Sequence, residues 1–165
     1  MPRHLLSIDD LTDAELEAIL RRAHDLRNAP QVPRPSERSV KIVGLMFLQT
    51  SLRTRVGFAA ACARLGWPCV AVFEQRASEV SMAESIEDTL RVAAGMVDLL
   101  VTRLPIPVGT VAANAPVPVV SGGDSGSLAE HPTQALIDMF AMEQERGDVR
   151  DLHVAICGDL RMRGT

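Results

Sequence analysis

Aromatic side chains are almost missing from this chain: they make up 3% of 165 residues, as four phenylalanines, one tryptophan and no tyrosine. That removes the stacking surface on which a single-strand nucleic-acid binder depends. Positive charge is also scarce, since 17 Lys and Arg face 21 Asp and Glu for a formal net charge of -4. Such a balance excludes a generic polyanion-binding surface, and any phosphate site must be a local concentration of arginine. The three cysteines, Cys62, Cys69 and Cys157, are odd in number, far apart and set in apolar segments. They are expected to be buried free thiols in a reducing, cytoplasmic setting rather than a disulfide framework or a paired metal site. The four histidines likewise lack metal-ligand spacing. No apolar run approaches membrane-spanning length, and the N-terminus passes quickly into a charged amphipathic helix instead of a signal peptide.

Hydrophobic content of 47% with 23% charged residues places the chain among globular proteins. Its length suffices for one domain's core. Thr12 and Glu15 form a capping box and Leu11 and Leu16 a hydrophobic staple, with Leu16, Ile19, Leu20 and Ala23 on one face of a helix ending near Asn28. A Pro-rich connector spans residues 29–38. Strands are expected over 42–47, 69–73, 98–102 and 117–120, with a small-residue helix over 56–65 that Gly66 and Pro68 terminate. Alternation of this kind predicts an α/β fold, a parallel sheet with helices on both faces and ligands at the strands' carboxyl ends.

Two segments carry the chemistry. FLQTSLRTRVGF, from Phe47 to Phe58, sets Ser51, Leu52, Arg53 and Thr54 where a strand turns into a helix. Unpaired amides, the positive end of the helix dipole, hydroxyls and a guanidinium meet there, which suits an anion. An ordinary N-cap by Ser51 with solvated arginines is the competing reading. In GGDSGSLAEHPTQALIDMF, His131 and Pro132 open a second helix that Gly147 stops, with Leu136, Met139 and Phe140 on its apolar face. His131 and Gln134 share its first turn and can reach one ligand. Arg53, Arg103 and His131 all follow expected strands and should converge at one sheet edge.

Together these segments resemble the N-terminal, carbamoyl phosphate-binding domain of the aspartate carbamoyltransferase catalytic chain, over nearly the whole length. The family's Ser-Thr-Arg-Thr-Arg signature stands here as Ser51, Leu52, Arg53, Thr54 and Arg55, and its His-Pro-Thr-Gln signature is intact from His131 to Gln134. Arg103 ends VDLLVTRLP, and residues 84–92 match the helix after the family's mobile loop. Ornithine-specific relatives share the first motif, whereas the HPTQ form and GDL at Gly158 favour the aspartate branch.

The resemblance implies that Ser51, Arg53, Thr54 and the amide of Leu52 hold the phosphate. Arg103 would bridge phosphate and carbonyl oxygen, Thr54, Arg103 and His131 would stabilise the oxyanion, and Gln134 would bind the carbamoyl amino group. Phosphate is already a good leaving group, so orientation and charge neutralisation suffice, with no metal or other cofactor implied. It further implies transfer to aspartate in pyrimidine biosynthesis and a homotrimer, alone or in a larger assembly. Residues 1–150 would be the carbamoyl phosphate-binding domain, and 151–165 the start of a second, acceptor-binding domain that this chain does not contain.

Three departures stand out. Leu52 replaces a threonine and keeps only the amide. Met82 occupies the place of a loop lysine that reaches a neighbouring subunit's site, although Ser78 keeps the loop's serine and Arg76 lies six residues before Met82. Gly164 takes the place of an acceptor-binding arginine, with Arg163 one residue early. This chain alone is therefore expected not to carbamoylate aspartate. A non-catalytic paralogue acting as a structural or regulatory partner, and a transferase with another acceptor, stay open.

Overall fold

A computed structural model describes residues 2–29, 40–72, 84–126 and 129–157. The Pro-rich connector, apart from Ala29, and the readings for Arg76, Ser78, Met82, Arg163 and Gly164 lie outside them.

Helix α1, Asp13–Asn28, opens on Thr12, whose side chain accepts from Glu15 N while the Glu15 carboxylate accepts from Thr12 N, the expected capping box. Arg3 pairs with the same carboxylate, and that bond, with those to Thr12, holds Glu15 well below the usual carboxylate range. Strands β1, Val43–Phe47, β2, Cys69–Val72, β3, Leu99–Arg103, and β4, Val119–Ser121, form one parallel sheet in the order β2-β1-β3-β4. Between them run α2, Leu52–Leu65, α3, Ile86–Ala94, and the short α4, Gly109–Ala112, and α5, Pro132–Arg146, follows β4.

Side chains of a strand alternate between faces, and here both faces are covered. Val43, Leu45 and Val101 pack with Cys62, Phe58 and Ala59 of α2 on one side. Met46, Leu100, Leu104 and Val119 pack with Leu90, Ala93 and Ala94 of α3 and Ala112 of α4 on the other. This is the α/β arrangement expected, with strand limits shifted by one or two residues. Helix α2 ends at Gly66 in the left-handed conformation at φ 71°, which glycine adopts without the Cβ penalty. Helix α5 ends at Gly147, φ 78°. It lies against α1, where His24 contacts Glu143, Gln144 and the ring of Phe140.

Two expectations need correction. Cys62 is buried, and burial pushes its thiol above the usual range, but Cys69 and Cys157 are exposed. Cys69 opens β2, which among the described residues has only β1 beside it, and residues 69–71 face solvent. Cys157 follows Val154 and Ile156, themselves exposed, in a stretch that forms no strand among the described residues, because no neighbouring strand supplies a ladder.

Candidate active site

The carboxyl ends of β1, β3 and β4 meet around a cavity of about 670 Å³. Ser51, Arg53, Thr54, Gly57 and Phe58 line it from α2, Arg103 from the end of β3, Gly123 and Asp124 from the loop after β4, and Glu130, His131, Thr133, Gln134 and Asp138 from the start of α5. Arg53, Arg103 and His131 thus border one space, as their positions after strands imply.

Each wall has a local cause. Leu48 N and Gln49 N both donate to the Arg103 carbonyl, at 2.9 and 3.3 Å, so the chain leaving β1 is fastened to the end of β3. Ser51 occupies the N-cap position of α2, yet its side chain makes no cap hydrogen bond. It donates instead to Thr54 Oγ1 at 3.0 Å. The ordinary cap by Ser51 is therefore not what forms, and the first-turn amides keep their capacity for an anion. Leu52 starts this turn 71% exposed and outside the cavity lining.

On the opposite wall the loop 122–124 is packed against Arg103 and His131. Arg103 Nη1 donates to Gly122 O at 2.8 Å. Gly123 has φ 103° and is wedged between the Arg103 guanidinium and the His131 ring. Asp124 accepts from Val108 N and Glu130 N, both at 2.8 Å, which clamps the loop between α4 and α5. Ile8 N in turn donates to the Glu130 carboxylate at 3.4 Å.

His131 caps α5 with its ring, Nδ1 accepting from Gln134 N at 3.3 Å. That bond assigns the neutral tautomer, with Nδ1 as acceptor and Nε2 carrying the proton. Burial, then the Arg103 charge, push the His131 pKa below its ordinary value, and Asp124 and Asp138 offset part of this. Near neutral pH the residue is thus an uncharged donor through Nε2. Gln134 shares the turn and donates from Nε2 to Asp138 at 2.8 Å.

Chemically the cavity offers two guanidinium groups, two hydroxyls, helix-start amides and a neutral imidazole donor, a donor set suited to an anion. Among the described residues no group of His, Cys, Asp and Glu is arranged to hold a metal ion. Reading the sequence missed Gly123, Asp124, Glu130, Thr133 and Asp138. The Gly-Gly-Asp run directly after a strand and the four-residue spacing of Gln134 and Asp138 were the available signals. Ser78 and Met82 lie outside the described residues.

The family model for the aspartate/ornithine carbamoyltransferase carbamoyl-P binding domain matches residues 3–144. The aspartate carbamoyltransferase catalytic subunit of Archaeoglobus fulgidus is 34% identical over 100% of this chain and 56% of its own length. That of Methanosarcina acetivorans is 38% identical over 96% of this chain and 52% of its own. Among solved structures, ornithine carbamoyltransferase from Thermus thermophilus superposes with a TM-score of 0.77 at 27% identity, covering 92% of this chain and 52% of that one. The catalytic subunit of M. jannaschii aspartate transcarbamoylase gives 0.72 at 32% identity, covering 88% and 48%. The chain spans about half the length of the curated relatives it matches.

Proposed function

This chain belongs to the aspartate/ornithine carbamoyltransferase family, in its carbamoyl-P binding domain, and from that premise we propose that it binds carbamoyl phosphate and serves carbamoyl transfer to aspartate in pyrimidine biosynthesis. The observation that carries the reading is the meeting of Arg53, Arg103 and His131 around one cavity beside the α2 N-terminus, which Ser51 leaves uncapped.

The phosphate would sit on Ser51, Arg53, Thr54 and the amide of Leu52, with Arg103 between phosphate and carbonyl oxygen. As the acceptor amine attacks the carbamoyl carbon, the C–N bond forms and negative charge gathers on the carbonyl oxygen. Arg103, Thr54 and the Nε2–H of His131 donate to that oxygen. A neutral imidazole serves here as a hydrogen-bond donor, and its Nδ1 stays committed to the helix start. Collapse then breaks the carbon–oxygen bond to phosphate, and the departing phosphate takes the proton the amine loses. Gln134 would hold the carbamoyl amino group.

Residues 1–150 would act as the donor-binding domain and 151–165 as the opening of an acceptor-binding domain. Sites would be completed in a cytoplasmic homotrimer, with Ser78 and Met82 on a loop that visits the neighbour's cavity. Among the described residues no helix is long and apolar enough to cross a membrane.

Isothermal titration with carbamoyl phosphate is the test, alongside a colorimetric carbamoyl-aspartate assay. The expected result is saturable binding in the millimolar range or tighter, with no turnover by this chain alone, because Met82 and Gly164 replace charges the family uses. Absence of binding would overturn the donor-site reading. Turnover of about 1 per second or faster, an ordinary enzyme rate, would show that those replacements matter little.

A further inference from the structure

Gln134 and Asp138 stand one helical turn apart on α5, both on the wall of the cavity, and Gln134 Nε2 donates to Asp138 Oδ1 at 2.8 Å. A carboxamide has two chemically different ends, and a free one can present either to a ligand. An ionised carboxylate only accepts, so it takes the NH2 end. The carbonyl end, Oε1, is then turned away from Asp138 and is the acceptor that Gln134 keeps for a ligand.

Such Gln–Asp pairs on an open helix surface merely add a little helix stability. This one borders the cavity, and the carboxylate carries a cost there, since it repels any bound anion. Its proximity is already felt by His131, whose pKa it pulls upward. A charge that weakens anion binding while steering one amide is arranged for selection rather than affinity.

Resting on the donor-site reading above, we infer that Asp138 is a specificity-determining positioning residue: by fixing the Gln134 amide it makes the cavity prefer a ligand bearing an N–H group on its carbonyl, the carbamoyl group, over the isosteric methyl of an acetyl group. The methyl ligand leaves Oε1 without a donor in a partly desolvated site, and an orphaned acceptor costs more than the hydrogen bond is worth. A flipped amide would set two donors against each other and remove the preference.

The test titrates the 165-residue chain with phosphonoacetamide, with 2-oxopropylphosphonate and with inorganic phosphate. The first two are stable isosteres that differ only in NH2 against CH3. Wild type should favour the amide by about tenfold, the worth of one net hydrogen bond. In Asp138→Asn the new carboxamide can accept from Gln134 Nε2 or donate to its Oε1, so both orientations are supported and the preference should fall to about twofold or less. Removing the charge should tighten all three ligands together, inorganic phosphate included, which is why the ratio is the readout. Asp138 is exposed, so the variant should keep its fold, with circular dichroism as the check. A ratio unchanged in Asp138→Asn, or a wild type without preference, overturns the inference while phosphate binding leaves the donor site standing. Failure of all three ligands to bind wild type sinks both.

Discussion

The guanidinium of Arg103 rests on the backbone of the loop after β4: its Nη1 donates to Gly122 O at 2.8 Å, and Gly123 follows at φ 103° against the same group. A Cβ built on Gly123 would overlap Arg103 Nη1 and come within 2.8 Å of His131 Cδ2. Two of the three donors proposed for the carbonyl oxygen, Arg103 and His131, therefore depend on the missing side chain of one residue.

Gly123→Ala should accordingly weaken phosphate binding by tenfold or more, because the methyl must displace Arg103, His131 or the loop itself. It should also cost about 1–3 kcal/mol of stability, since a side chain is strained at that positive φ. Gly109→Ala is the matched control. Among the described residues nothing lies within 4 Å of a Cβ at Gly109, and its φ is not in the left-handed region, so binding should stay unchanged and stability rise by about 0.4 kcal/mol or more. Titration with inorganic phosphate and urea melts read both.

The titration of His131 gives a second prediction. Its folded-state pKa lies below the ordinary 6.5, through burial first and the Arg103 charge second. Between the two values the unfolded chain binds more protons than the folded one, so stability rises with pH across that window. The contribution is fully present above about 6.5 and is lost as pH falls through the folded value. Protonation adds the proton at Nδ1, the atom that caps α5, so the cap goes with it. Ring resonances followed by NMR should titrate below 6.5 in wild type, move upward in Arg103→Gln and downward in Asp124→Asn. A His131→Gln chain should lose stability less steeply on acidification, and equal slopes would contradict this account.

How much of this was legible beforehand follows from which forces act locally. Thr12 and Glu15 announce a helix start because the capping box needs only neighbours in sequence, and the β1 to α2 turn shows itself through its hydroxyls and arginines. Arg103 and His131 could be brought together because residues following parallel strands share one edge. The exposure of Cys69 could not be read, since an apolar run looks the same in a central strand and at the edge. Nor could the failure of Ser51 to cap α2, which turns on one rotamer that points its hydroxyl to Thr54. Asp124 was invisible for a third reason: its partners, Val108 and Glu130, come from separate segments.

Thiol accessibility offers a simple third measurement. Cys69 and Cys157 are exposed and Cys62 is buried, with its pKa raised by desolvation. Ellman's reagent should modify two thiols promptly in the folded chain and the third only on unfolding. Cys62→Ser should leave the prompt count at two, whereas Cys69→Ser should reduce it to one. A single prompt thiol in the wild type would mean that one exposed cysteine is covered in solution, and Cys69 on the β2 edge would be the first to examine for contact between copies.

The last prediction concerns where the donor-binding domain ends. Val154 and Ile156 are 58% and 63% exposed, and residues 152–157 pair with no strand among the described residues, so this stretch buries little apolar surface against the sheet. By contrast α5, which ends at Arg146, is tied to α1 through His24, Glu143 and Gln144. Ending the chain at residue 150 should therefore shift the thermal midpoint by no more than about 2 °C, less than a 1 kcal/mol change would produce in a domain of this size, and leave phosphate affinity within about twofold. Removing the last turn of α5 as well should cost considerably more, because Glu143 and Gln144 go with it and His24 loses both its polar partners. A large loss on the first truncation would place residues 151–165 inside the folded unit, and the boundary would have to move toward the C-terminus.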